Sequence, residues 1–168
     1  MIFAFGFSSH ADLLVEPYAG YHFGKYGQTE DTEDNVNGVS LGARLGFQSL
    51  GFMVGADYMT GSWSDDADPS ADVTPSVLGL FVGYNFPVML RVYGTYGIQN
   101  KLKLKYPSST YNYEGDFLKL GVGFTGLPFV SVNLEYIAAS YDEYDDGAVD
   151  PAMDSKMFGV TVSLPLTF

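Results

Sequence analysis

Lys156-Met-Phe-Gly-Val-Thr-Val-Ser-Leu-Pro-Leu-Thr-Phe168 is the stretch whose reading decides the fold. Phe158, Val160, Val162, Leu164, Leu166 and Phe168 recur at every second position, and Gly159, Thr161, Ser163 and Thr167 fill the gaps with small or weakly polar groups. A period of two is the mark of a strand with one apolar face. The stretch stops on an aromatic residue that belongs to that face. A soluble domain gains little from such an ending, so the terminus points to a barrel in a membrane.

Upstream the same alternation recurs seven times. Leu13, Val15, Ala19, Tyr21 and Phe23 oppose Glu16, Tyr18, Gly20 and His22; Val39, Leu41, Ala43, Leu45 and Phe47 oppose Ser40, Gly42, Arg44, Gly46 and Gln48. Phe52, Val54, Ala56 and Tyr58 oppose Met53, Gly55, Asp57 and Met59; Leu78, Leu80, Val82, Tyr84 and Phe86 oppose Gly79, Phe81, Gly83 and Asn85. Leu90, Val92, Tyr96 and Ile98 oppose Arg91, Tyr93, Thr95 and Gln99. Leu118, Leu120, Val122 and Phe124 oppose Lys119, Gly121 and Gly123, and Val130, Val132, Leu134, Tyr136 and Ala138 oppose Ser131, Asn133 and Glu135. With the last stretch this makes eight strands. The connections alternate: polar and long near 25–37, 62–75, 100–115 and 142–155, tight near 48–51, 86–88 and 126–129. Short turns on one rim and long loops on the other predict an all-β, eight-stranded, antiparallel up-and-down transmembrane barrel.

Composition agrees. No run approaches the roughly 18 apolar residues of a membrane helix, whereas barrel strands need only about 9 to 11. Glycine (20), Tyr (13) and Phe (13) are abundant, Lys and Arg total 8 against 20 Asp and Glu, and there is no cysteine. A net charge of -12 excludes the basic footprint that nucleic acid requires. The acid concentrates around Glu30–Asp34, Asp65–Asp72, Glu114–Asp116 and Asp142–Asp154, and reads as loop charge.

Alternation alone leaves open whether the apolar face meets lipid or an internal core. The polar face carries only Glu16, Arg44, Asp57, Arg91, Lys119 and Glu135, three of each sign, where a water-washed face would be dotted with Lys and Glu. That face is also rich in glycine, as a cramped interior requires. On the apolar face the aromatics fall at two levels, Phe47, Phe52, Tyr84, Phe86, Phe124 and Phe168 near the turns and Tyr21, Phe23, Tyr58, Tyr96, Tyr136 and Phe158 near the loops. Two girdles about an apolar band are what a bilayer selects.

From Asp12 to Phe168 the chain resembles the small OmpA/OmpX-type eight-stranded outer-membrane barrels. The resemblance implies a Gram-negative outer membrane, loops extracellular and termini periplasmic. It also implies contact with outer-membrane lipid and lipopolysaccharide, and assembly by the barrel assembly machinery, for which Val160, Val162, Leu164, Leu166 and Phe168 are the expected signal. Residues 1–11, an apolar run followed by Ser9-His10-Ala11, read as a truncated signal-peptide remnant, with residues 12–168 as the barrel. No peptidoglycan-binding domain is expected beyond the barrel.

Function is less legible, since this architecture serves many roles. The six lumenal charges form one candidate site: hairpin register brings Arg44 opposite or diagonal to Asp57, and Lys119 likewise to Glu135, with Arg91 and Glu16 completing the set. Either they fill the lumen or they gate a narrow path for small solutes. Lys101, Lys103 and Lys105 lie on one side of a strand extension with Leu102, Leu104 and Tyr106 on the other, and Tyr106, Tyr111 and Tyr113 are expected to be exposed. That hairpin suits contact with lipid phosphate, or with a surface protein on a host, prey or neighbouring cell. No cofactor and no defined metal site are expected, because the acidic spacing fits no EF-hand. No nucleophile–histidine pair is placed for catalysis. The expectation is a monomeric, non-enzymatic barrel displaying acidic loops, with a small-solute channel as the alternative and a lipid A-modifying enzyme as a third reading.

Overall fold

Residues of alternating character, separated by tight turns, can satisfy every backbone group inside a membrane only by closing a sheet on itself. A computed structural model, which describes residues 11–27, 34–65, 72–105, 110–144 and 147–168, shows that closure. Eight strands run in chain order: β1 Asp12–Gly27, β2 Asp34–Ser49, β3 Phe52–Asp65, β4 Asp72–Phe86, β5 Leu90–Lys105, β6 Thr110–Phe124, β7 Ser131–Tyr144 and β8 Gly147–Ser163. Each pairs antiparallel with its neighbours, and β1 pairs with both β2 and β8. The last strand is not continuous as the sequence suggests. It breaks at Leu164-Pro165, where proline has no N–H for the ladder. It resumes as Leu166–Thr167 against Leu14 and Val15. Leu13 and Phe168 then exchange two backbone hydrogen bonds of 3.0 Å, which seals the seam to its last residue.

Three tight turns connect strands at one rim. In the β2–β3 hairpin Ser49 pairs with Phe52, so Leu50 and Gly51 form a two-residue turn with φ of 50° and 87°. Positive φ at both positions is the type I′ geometry that matches strand twist. The β4–β5 and β6–β7 turns place Met89 (φ 62°) and Phe129 (φ 64°) in the same left-handed region.

The strands are 14 to 17 residues long. At about 3.3 Å per residue, and with the usual tilt, only about 10 residues are needed to cross an apolar band of about 25 Å. The remainder continues past the loop-side girdle, and there the chemistry of the two faces exchanges. Below the girdle the exterior is Leu, Val, Ala and aromatics and the interior is charged. Above it the exterior is Thr74, Ser76, Lys101, Lys103, Lys105, Asn112, Glu114, Asp116, Asp154 and Lys156. The interior there is a hydrophobic core of Val36, Trp63, Val73, Val77, Leu102, Leu104, Phe117, Tyr141, Met153 and Met157, among others. This part of the barrel follows the ordinary rule of a protein in water. Glu114, Asp116, Asp142, Glu143 and Asp154 therefore lie on strands, not in loops as their spacing suggests.

A register shift in β5 between Tyr96 and Lys101 changes which residues face in. Ile98 and Gln99 both point outward and Asn100 turns inward, so Gln99 is not lumenal as its parity predicts. The bulge keeps all three lysines outside and sends Leu102 and Leu104 into the core.

Candidate functional site

The six predicted lumenal charges are all fully buried, at 2% exposure or less, and meet in one network near mid-barrel. Leu14, Met53 and Phe81 form a small buried cluster, the larger hydrophobic core lies on the loop side of the charges, and on the turn side buried Ser131, Asn133 and Ser163 continue the polar lining.

Register places three of them in a row. Glu16 on β1 is directly opposite Arg44 on β2, which is directly opposite Asp57 on β3. Arg91 on β5, Lys119 on β6 and Glu135 on β7 come from the facing wall. The Arg44 guanidinium lies between two rings, 4.5 Å from the centroid of Tyr18 and 4.1 Å from that of Tyr93. It donates to Glu135 Oε1 (2.8 Å) and Glu16 Oε1 (3.3 Å), and its Nε stands 3.6 Å from Asp57 Oδ2. Arg91 is bonded to Glu16 through Nη1 and donates to Asn85 Oδ1 (2.7 Å). Lys119 Nζ pairs with Asp57 Oδ2 at 2.6 Å and donates to the Tyr18 hydroxyl at 3.1 Å.

Asp57 also accepts from Tyr18 (2.7 Å) and Thr95 (2.8 Å), while Glu135 accepts from Tyr93 and meets His22 Nε2 at 3.2 Å. Each carboxylate is held by at least one cation, and three positive groups balance three negative ones. That balance is what makes burial tolerable in a narrow lumen.

Glycine supplies the room. Tyr18 pairs across the ladder with Gly42, Tyr93 with Gly121 and His22 with Gly159. A Cβ built at any of these three glycines would collide with the ring opposite. The glycine-rich phase of the sequence is the set of floors on which the large lumenal rings lie.

The structure changes the expected pairings. Arg44 and Asp57 face each other as predicted, but Lys119 bonds Asp57 across the lumen and Glu135 bonds Arg44, so Lys119 and Glu135 are not partners. Glu135 is opposite Gly121, one diagonal from Lys119, and the closer cross-lumen contacts win. His22, Tyr18, Tyr93 and Thr95 are members of the network that charge alone did not pick out. Their common signal was parity with Glu16 and Arg91 on the same strands.

Lys101, Lys103 and Lys105 are exposed on β5 beyond the girdle, with Lys101 bonded to Glu114 at 2.6 Å. Tyr111 and Tyr113 are not exposed as expected: they lie on the inner side of β6, half-buried against the loop-side core, because they pair with inward-facing Leu104 and Leu102. Tyr106 lies outside the described residues. Val160, Val162, Leu164, Leu166 and Phe168 all face outward. Among the described residues no three His, Asp or Glu side chains converge to hold a metal ion.

No protein-family model matches the chain, and no curated protein matches it in sequence. Solved structures do match. Neisserial surface protein A superimposes with a TM-score of 0.63 at 14% identity, covering 89% of this chain and 96% of the other. Ail, the attachment invasion locus protein of Yersinia pestis, also gives 0.63, at 13% identity over 92% and 99% of the two chains. The N-terminal β-barrel domain of Pseudomonas aeruginosa OprF gives 0.54, at 15% identity over 94% and 100%. The chain has the fold of the small eight-stranded outer-membrane barrels. Identity this low shows the shared barrel and leaves the site to be argued from this chain's own residues. In such a barrel the lumen is a packed interior, as the paired network around Arg44 is here.

Proposed function

We propose that this small outer-membrane barrel is a non-enzymatic display protein, with loops extracellular and termini periplasmic, whose rigid extension beyond the bilayer serves surface interaction or envelope structure. The observation that carries the reading is the exchange of faces above the loop-side girdle. A barrel built only to span a membrane has no use for a second hydrophobic core outside it. Strands that continue for several residues in water, packed around Trp63 and Phe117, hold an exterior surface in fixed geometry. On that surface Lys101, Lys103 and Lys105 form a ladder with a spacing of about 7 Å, the two-residue repeat of a strand. They stand out in a chain of net charge -12.

Ail, a barrel of the same fold, has been crystallised in complex with the heparin analogue sucrose octasulfate. The ladder is where this chain would meet a polyanion of that kind. Purified protein in nonionic detergent is expected to be retained on immobilised heparin and released by salt, with K101Q/K103Q/K105Q eluting much earlier. Equal retention of the two proteins would remove the ladder from the interface.

The lumen supports display over conduction. The hydrophobic core covers the loop-side end of the charged belt, and the belt is internally paired. Planar-bilayer recordings are expected to be silent over a wide voltage range. Discrete conductance that changes on Arg44→Ala would move the reading to a gated channel. Catalysis has little to work with, since His22 is sealed in the lumen against Glu135. Expression of the protein is accordingly expected to leave lipid A masses unchanged. The proposal includes recognition of the outward-facing Val160–Phe168 edge by the barrel assembly machinery, removal of residues 1–11, and a monomer in the membrane. Intact mass of the membrane-extracted protein and its light-scattering mass in detergent test the last two.

A further inference from the structure

Just above the loop-side girdle the sheet loses its regular ladder at one place. The register shifts between Leu78 and Gly79 where β4 meets β5, and between Tyr96 and Lys101 where β5 meets β6. It shifts again between Glu114 and Gly115 where β6 meets β7, and between Tyr141 and Glu143 where β7 meets β8. These successive irregularities open the outer wall into a groove of about 550 Å³, within the range of about 300–1,000 Å³ that small-molecule sites occupy. Bulges re-aim side chains, and here they gather carboxylates. Asp142 bulges from β7 without a ladder partner on either side, Glu143 lies directly opposite Glu114, and Asp116 follows one same-face step below Glu114. All four line the groove, and all four are exposed.

Like charges directly opposite on one sheet face repel each other. Lys101 answers Glu114 at 2.6 Å, whereas Asp142 and Glu143 make no ion pair among the described residues. One ammonium group thus faces four carboxylates. A buried side chain at the same groove also lacks a partner. Asn100, 2% exposed, fills the gap in the β5–β6 ladder by donating Nδ2 to the Asp116 carbonyl at 3.1 Å, and its side chain meets the Tyr141 hydroxyl. Its Oδ1 is left without a hydrogen bond, and the residue lines the groove. A buried carbonyl oxygen of that kind wants a donor. Beside the carboxylates the groove is apolar, with Leu78 half-buried and Ile98 exposed.

Separated carboxylates, an amide oxygen without a donor and two aliphatic side chains match a ligand that donates N–H groups and carries hydrocarbon between them. A lone metal ion matches less well, because no three carboxylates converge on one point among the described residues. Glu114 and Asp116 are about 7 Å apart along β6, the two-residue repeat of a strand, and a short methylene chain between two nitrogens spans that distance. We infer that the groove binds a linear aliphatic polyamine, with its ammonium groups on Glu114, Asp116 and the Asp142–Glu143 pair, its methylenes on Leu78 and Ile98, and one N–H donated to Asn100 Oδ1. The site takes a polycation where the lysine ladder on the adjacent strand takes a polyanion. The two are therefore separable by the sign of their ligands.

The full chain, folded in nonionic detergent at low ionic strength, where exposed charges are least screened, is titrated with spermidine in a calorimeter. Wild type is expected to show a saturable site for one spermidine per chain. D142N/E143Q should weaken it by about five- to tenfold, as the loss of two exposed charge contacts would give. D12N/D34N, which removes the same charge elsewhere, should leave it unchanged. Asn100→Ala should weaken it with no change in net charge. K101Q/K103Q/K105Q, the variant expected to lose heparin retention, should bind spermidine more tightly, because Lys101 no longer occupies Glu114; failure of the ladder and failure of the groove are thereby told apart. Asp142 and Glu143 are exposed, so their double variant carries the test should Asn100→Ala fail to show the gel mobility of a folded barrel. Equal weakening in D142N/E143Q and D12N/D34N, or a titration of wild type that does not saturate, would mean general attraction to an acidic protein and overturns the site. Displacement of spermidine by equimolar Ca²⁺, or tighter binding of a penta-arginine peptide, overturns its assignment to a polyamine.

Discussion

Arg44 places its guanidinium between two phenol rings and within reach of Glu16, Glu135 and Asp57, so its removal leaves three buried carboxylates with only Arg91 and Lys119 to answer them. Breaking a buried pair from one side costs about 3–5 kcal/mol, far more than deleting an exposed pair. Arg44→Ala is therefore expected to lower the unfolding free energy in lipid vesicles by about that amount, read from urea titration. Lys101→Ala, which breaks an exposed pair with Glu114, should change it by less than about 1 kcal/mol. Equal effects would mean that the network is not the electrostatic centre of the barrel. All six network charges were legible from parity, because each shares its strand phase with glycine and small polar residues. Who bonds whom was not, since Arg44–Glu135 and Lys119–Asp57 cross the lumen between strands far apart in sequence. That geometry depends on how far the sheet staggers on closing, which no local pattern records.

At the scale of the strand and its turn, the least favourable local choice is Leu50. It occupies the first position of a two-residue type I′ turn at φ 50°, where Asn is preferred, and Gly51 already holds the second. A branched side chain in the left-handed region costs of order 1–2 kcal/mol. Leu50→Asn is expected to raise stability by about 0.5–1 kcal/mol and to leave the Ser49–Phe52 register unchanged. A loss of stability would show that the exposed Leu50 side chain contributes more by contact with the bilayer surface than its backbone loses. Turns of this kind were placed correctly by the sequence, but the strand ends at the opposite rim were not. There the inner face becomes apolar and the outer face polar, so Thr74-Pro75-Ser76-Val77 reads as loop to an eye that takes apolar for outside. The β5 bulge adds a change of parity that shows in its pairing with both β4 and β6.

For the whole molecule the testable quantity is where water begins. If the faces exchange just above Tyr21, Phe23, Tyr58, Tyr96, Tyr136 and Phe158, the band below meets lipid and the core above is shielded from lipid and water alike. Trp63, the single tryptophan, reports on this directly. It is 4% exposed inside the loop-side core, donates its indole N–H to Ser40 Oγ at 3.0 Å and lies 6.2 Å from the His22 ring. Its two strand neighbours on the outer face, Ser62 and Ser64, are polar. In vesicles the folded protein should therefore emit at short wavelength yet resist quenching by brominated acyl chains and by aqueous iodide. A second tryptophan introduced by Leu45→Trp, on the lipid face, should be quenched strongly by the brominated chains. Strong lipid quenching of Trp63 itself would place the bilayer around the upper strands. The lysine ladder would then lie within hydrocarbon, where it could not act as described. Resistance to both quenchers fixes the girdle as the boundary and leaves the lysine ladder where anions can reach it.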